Sequence, residues 1–309
     1  MWHFRKASLA TVIVLLLAAT DSAAQTCSCA GVPLLGSMQL ATPGGGKWFL
    51  SGSYEFHDAS ELVSGSSTVP DSTNRDRTSE VLMFEVSRGL WDKVSFSALI
   101  AVVQHDRTVG GVHDRATGLG DAIVVLKYSP ASISLYSRNA LSMGIGARLP
   151  LGVDDATSGG IVLAEDMQPS TGAFGGLVWI YAARALNEPA SAQIYVSATY
   201  TNNGENDRNY QFGHETTASL GASYQTQSPW GFAVELLYRQ AERDKRASAD
   251  IPNTGGEWLD IIPIIQYHIT DSMALSASAK IPVARNLNDQ LQFTTKYAAR
   301  LTFSYIFGN

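Results

Sequence analysis

The sequence predicts an all-β protein: a transmembrane antiparallel up-and-down β-barrel of about 12 strands, of the outer-membrane type. Three observations lead there. The C-terminal segment 291–307 alternates strictly, with Leu291, Phe293, Thr295, Tyr297, Ala299, Leu301, Phe303, Tyr305 and Phe307 on one face. Gln292, Thr294, Lys296, Ala298, Arg300, Thr302 and Ser304 fill the other. A strand this long, apolar on one side and charged on the other, suits a wall between lipid and a polar lumen. Eleven further segments repeat the pattern, and their connections alternate between short and long.

The N-terminus reads as an export signal. Arg5 and Lys6 precede an apolar run from Ala7 to Ala19, and Ser22-Ala23-Ala24 supplies small residues before Gln25. The run is shorter than the roughly 20 residues a spanning helix needs. The expected organisation is a signal peptide over 1–24, a periplasmic segment over 25–46 and a barrel over 47–309.

The strands follow in order. The first presents Trp48, Leu50, Gly52, Tyr54 and Phe56, and the second Leu82, Phe84 and Val86. The third presents Val94, Phe96, Ala98, Ile100 and Val102, and the fourth Ala122, Val124, Leu126 and Tyr128. Leu141, Met143, Ile145, Ala147 and Leu149 mark the fifth; Phe174, Val178 and Ile180 mark the sixth. Ala192, Ile194, Val196, Ala198 and Tyr200 belong to the seventh, and Ala218, Leu220, Ala222 and Tyr224 to the eighth. Phe232, Val234, Leu236 and Tyr238 form the ninth, and Leu259, Ile261, Pro263, Ile265 and Tyr267 the tenth. Leu275, Ala277, Ala279, Ile281 and Val283 form the eleventh, before the final strand. Pro263 cannot donate to a ladder, so a bulge or bend is expected there. Tyrosine and tryptophan near strand ends suit the headgroup level of a membrane.

Turn-forming Asp, Asn and Pro sit in short connections at 91–93, 129–132, 187–190, 227–230 and 270–273. Longer polar stretches occupy 58–79, 105–118, 152–170, 202–210 and 242–256, with a shorter one near 286–290. Even strand parity places both termini on the periplasmic side. The formal net charge is -6, and loss of residues 1–24 leaves 20 basic against 27 acidic residues. That balance argues against a nucleic-acid partner.

Inward positions carry Glu55, Glu85, Asp121, Lys127, Arg148, Glu215, Glu235, Arg239, Lys280, Lys296 and Arg300. Their signs nearly balance, so pairing or hydration is expected. Two readings stay open: a salt-bridged, filled interior, or a narrow polar constriction on a transport path. Tyr181, Tyr195, Ile123, Val125 and Leu237 also face inward, and a partly apolar bore suits small organic solutes better than sugars or ions.

Cys27 and Cys29 are the two cysteines. A disulfide, a soft-metal site and lipidation are each chemically allowed. No cofactor is expected: Gly118-Leu119-Gly120-Asp121 lacks the spacing of a nucleotide loop, and no zinc signature appears among the histidines. His214 and Thr216 share an outward face as a membrane phospholipase dyad would, yet threonine replaces serine and no orienting Asn accompanies them. A non-enzymatic protein is expected.

Gly118-Leu119-Gly120-Asp121 with Leu126-Lys127-Tyr128 resembles a strand opening in the "MetA-pathway of phenol degradation" family of outer-membrane barrels. Leu149-Pro150-Leu151-Gly152, Ser170-Thr171-Gly172 and Ile281-Pro282-Val283 through Asn286-Leu287-Asn288 resemble its later landmarks, in order, over about residues 47 to 309. Ser170 stands where glycine is commoner, and the chain ends Gly308-Asn309 rather than on an aromatic. The resemblance implies an outer-membrane barrel that takes up small hydrophobic or aromatic solutes. Its expected partners are outer-membrane lipid, the solute and the barrel-assembly machinery. The alternative is a closed structural barrel, its 25–46 segment docking a periplasmic partner.

Overall fold

The computed structural model describes residues 43–133, 137–188 and 191–308. The expected export segment, Cys27 and Cys29 lie outside the described residues. Twelve long strands form the wall: β1 (Trp48–Asp58), β2 (Asp76–Trp91), β3 (Val94–Val109), β4 (Ala122–Ala131), β5 (Asn139–Leu149) and β6 (Gly175–Ala185), then β7 (Ala192–Asn203), β8 (Glu215–Gln225), β9 (Trp230–Ala241), β10 (Gly256–His268), β11 (Met273–Leu287) and β12 (Tyr297–Phe307). Each pairs antiparallel with its sequence neighbour. β1 pairs with β12 from Trp48↔Phe307 to Asp58↔Tyr297, which closes the sheet and removes its free edges.

The alternation is realised in three dimensions. Leu50, Phe84, Ile145, Val178, Leu220, Phe232 and Leu301 are exposed on the outside, while Ser53, Leu99, Val125, Trp179 and Leu237 are buried inside. An apolar outer surface on this scale belongs in lipid. Aromatic girdles flank it. Trp48 stacks on Phe307 at 6.4 Å and Trp230 meets Tyr267 at 4.8 Å at the short-turn end. Tyr54 donates to Glu80 at 2.9 Å near the other.

Four sequence expectations need correction. First, the segment 291–307 is not one strand. Gln292–Thr294 leaves the wall and pairs with the short strand Glu61–Ser64 across the long-loop end. Phe293, expected to face lipid, is therefore buried beneath the Arg75 guanidinium, and Lys296, expected in the lumen, is exposed at the start of β12. Alternation alone carries no sign of the break. Second, 105–118 is largely strand. β3 runs on into a hairpin with Val112–Leu119, turned by Gly110 (φ 57°) and Gly111 (φ 84°). Positive φ at both central residues gives the tight turn that matches strand twist. Third, Pro263 interrupts the ladder without shifting it: pairing with β11 passes from Ile261↔Ile281 to Ile264↔Ser278, and the register shift falls at Leu259/Asp260 instead. Pro263 itself faces outward and is exposed. Fourth, the shorter loop expected near 286–290 begins later: β11 continues through Leu287, and beyond the shift its facing inverts, so Arg285 and Leu287 point inward.

The long-loop end is covered. Glu61–Ser64, Ser67–Thr68 and Gln292–Thr294 form one small sheet; Tyr210–Gln211, Lys245–Arg246 and Ala249–Asp250 form another. A strap over 150–174 carries a short 3-10 turn, Glu165–Met167, whose three residues are all buried.

The barrel lumen as candidate functional site

The bore has two dissimilar walls. β2, β3, β4 and β6 contribute Val81, Leu99, Ala101, Val103, Ile123, Val125, Leu177 and Trp179, which pack into one apolar cluster with Met83 and Tyr181 at its margin. The other side, built by β1, β9, β11 and β12, carries Glu55, Glu235, Lys280 and Arg300. A strand's period of two sends alternate side chains inward, so each wall copies the inward letters of its strands.

The charged side chains pair locally. Glu55 accepts two hydrogen bonds from the cross-strand Arg300, one from Nε at 2.6 Å, and His57 Nε2 lies 2.6 Å from its other oxygen. Glu235 accepts from the Tyr195 hydroxyl at 3.1 Å. Glu85 accepts from Ser87 at 2.8 Å and is the charge that acts on buried Lys127. Arg239 reaches Glu215 at 3.1 Å while its guanidinium lies 3.9 Å above the Trp258 ring. Lys280 lines a small void of about 20 Å³ with Glu55, Ser278 and Arg300. Ten of the eleven sequence-predicted lumen residues thus face the interior; Lys296 does not. They form several pairs rather than one centre.

Asp121 ties together two of the motifs noted in the sequence. It accepts from the Ser170 hydroxyl, from the Thr171 hydroxyl at 2.6 Å and from the Thr171 amide at 3.2 Å. Arg148 Nε stands 3.9 Å away, and Arg148 also donates to Asn203 at 3.0 Å. Gly172 has φ 67°, and a side chain there would strike Asp154. The Gly-Leu-Gly-Asp and Ser-Thr-Gly segments therefore fasten the strap to the top of β4, and just after Leu-Pro-Leu-Gly the Val153 amide donates to the Leu119 carbonyl at 2.9 Å.

Sequence reasoning missed the groups that hold the strap's tip. Arg77 Nη1 donates to Asp166 at 2.9 Å, both side chains nearly sealed from solvent. Arg208 Nε donates to Glu165 at 2.9 Å. Gln168 closes a loop with Ala156 and Leu163 through its side-chain amide. Arg285, turned inward by the bulge, meets Glu61 at 2.6 Å. Arg77 shares the inward parity of Val81, which was a usable signal; Glu165 and Asp166 offered none.

The second cap sheet turns on Asp244. It accepts from the Tyr210 hydroxyl at 2.6 Å and from the Gly213 amide at 2.7 Å. Burial pushes its carboxyl up to about 6, with Asp166 adding to the rise and the two hydrogen bonds opposing it. The docked cap therefore holds this proton more tightly than an undocked one. Docking should strengthen as pH falls from about 6 toward 4 and weaken as pH rises through that window, by up to about 3 kcal/mol. The check is the amide-exchange protection factor of Gly213, expected to rise on acidification in the wild type and to stay flat in Asp244→Asn. A flat wild-type profile would remove Asp244 from the coupling.

His214 accepts from the Asn203 amide at 3.1 Å, a local structural bond, and Thr216 is exposed. Among the described residues no group of His, Cys, Asp and Glu could hold a metal ion.

A closed twelve-stranded barrel, lipid-facing outside and mixed within, defines a bacterial outer-membrane β-barrel. Among solved structures, an outer membrane channel from Pseudomonas putida F1 superimposes with a TM-score of 0.66 at 11% identity, over 86% of this chain and 97% of that one. The transport unit of the autotransporter AIDA-I from Escherichia coli gives 0.48 at 8% identity, over 89% and 95%. No curated protein matches the chain. The family described as "MetA-pathway of phenol degradation" matches residues 63–293, and the chain belongs to it.

Proposed function

We propose that the barrel gives small hydrophobic or aromatic solutes passive passage across the outer membrane. The observation that carries this reading is the two-sided bore. A largely apolar wall, interrupted by Glu85 and Lys127, faces a wall of paired charges and hydroxyls, a surface suited to a small ring with a polar substituent rather than to a sugar or a bare ion. On β9–β12 the inward positions toward the short turns, among them Ala233, Ile264, Ser276, Ser278 and Thr302, are half-buried, whereas Ser87, Ser95, Ser142 and Ala185 on the opposite side are buried, so the space toward the periplasm lies along β9–β12. The strap and the two cap sheets cover the outer mouth.

The closed structural barrel is the second reading. It is favoured by the burial of Lys127, Glu235, Val125 and Ala101, which leaves little room at their level.

Flux into liposomes separates the two. The probe is benzenesulfonate, which stays ionised and does not leak through the bilayer, with glucose as the polar control. Wild type should admit benzenesulfonate faster than glucose. Asp121→Ala should raise that flux several-fold while keeping heat-modifiable gel mobility, because it frees the strap without touching the ladder. Absence of flux and conductance in both proteins would favour the closed barrel. Equal flux in both would take Asp121 off the path.

A further inference from the structure

We propose that Tyr181 is the specificity-determining residue of the bore: an aromatic solute packs its face against the exposed edge of the Tyr181 ring, so aromatic solutes pass in preference to saturated ones of equal size and charge. This rests on the channel reading above and adds the residue and the discriminating chemistry.

Three inward rings stand in file across β6 and β7. Trp179 and Tyr181 are 6.1 Å apart between centroids and 14° from parallel; Tyr181 and Tyr195 are also 6.1 Å apart, at 29°. This is offset stacking geometry. The outer two are sealed, Trp179 at 4% exposure and Tyr195 at 3%, whereas Tyr181 is half-buried at the edge of the apolar cluster. Tyr181 is therefore the rung with surface left to offer the bore.

The file is built rather than incidental filler. The Tyr195 ring lies flat over Gly221, where a Cβ would sit 2.1 Å from its Cζ, and its hydroxyl is held by Glu235. Fixed on one side by Tyr195 and on the other by Trp179, the Tyr181 ring is pre-oriented and loses little freedom when a solute ring joins it. One buried polar atom of the file, the donor Trp179 Nε1, has no hydrogen-bond partner among the described residues. A folded core rarely leaves such an atom orphaned, and its place in the file fits a site that a ligand or water completes. Across the bore, Lys280 and Ser278 border the small void and offer a polar substituent donors.

An edge-to-face ring pair favours the aromatic solute by roughly 2- to 10-fold over a saturated ring. The test compares benzenesulfonate with cyclohexanesulfonate, equal in charge and nearly equal in size, entering liposomes that carry wild type, Tyr181→Phe or Tyr181→Leu. Folding of each is confirmed by heat-modifiable mobility. The expected aromatic-to-saturated flux ratio is about 2 to 10 in wild type, retained in Tyr181→Phe and close to one in Tyr181→Leu. A wild-type ratio near one overturns the proposal without any variant, and so does an unchanged ratio in Tyr181→Leu; both leave the channel reading in place. Absence of flux of either probe through wild type overturns both.

Discussion

A barrel carrying Leu301→Arg is expected to be about 2–4 kcal/mol less stable than wild type in a denaturant titration from lipid bilayers. Leu301 faces outward from the middle of β12, 49% exposed, between Tyr54 of β1 and Ala277 of β11. In lipid an arginine there has no acceptor and must distort the bilayer or reach an interface. The same titration in a micelle, where water is nearer, should show a smaller loss. Equal stability of the variant in the bilayer would contradict the facing of β12, and with it the register of the seam.

One residue earlier the preference reverses. Arg300→Leu is expected to cost about 3–5 kcal/mol, because it leaves Glu55 charged and buried at 4% exposure. His57 and Lys280 remain nearby but do not replace a two-bond guanidinium contact. The double variant Glu55→Leu with Arg300→Leu should recover most of that loss, since a buried pair replaced by apolar groups is often close to neutral. Strict additivity of the two single losses would show that the pair does not act as a unit.

These two neighbours show what alternation reveals. Arg300 and Leu301 could be assigned to opposite faces from the letters alone, as could all twelve wall strands and ten of the eleven lumen charges. Alternation names a face but not a partner. Arg77 and Asp166 are 89 positions apart, and nothing local in either segment announces their contact. It also fails wherever a strand leaves the wall without a turn residue. Phe293 keeps the outward parity of Phe303, yet it belongs to a cap sheet. Arg285 was hidden for a related reason: one extra residue near Val283 shifts the period, and the sequence around it reads as an unbroken strand. The glycines and polar residues of the family motifs were visible as a pattern. Their meaning, a clasp on the strap through Asp121, needed the fold.

The seam between β1 and β12 also constrains the order in which the molecule is made. Its two partners lie at opposite ends of the polypeptide, so the wall stays open along one line until synthesis is nearly complete. The cap repeats this arrangement, because Glu61–Val63 waits for Gln292–Thr294. Such long sequence separation makes closure entropically late and slow, since the ring pays for a very large loop before any seam bond repays it. Meanwhile two bare edges, each able to add a foreign strand, are exposed. A chain truncated before Tyr297 would keep both edges for good, and should accumulate as aggregate rather than as a smaller pore.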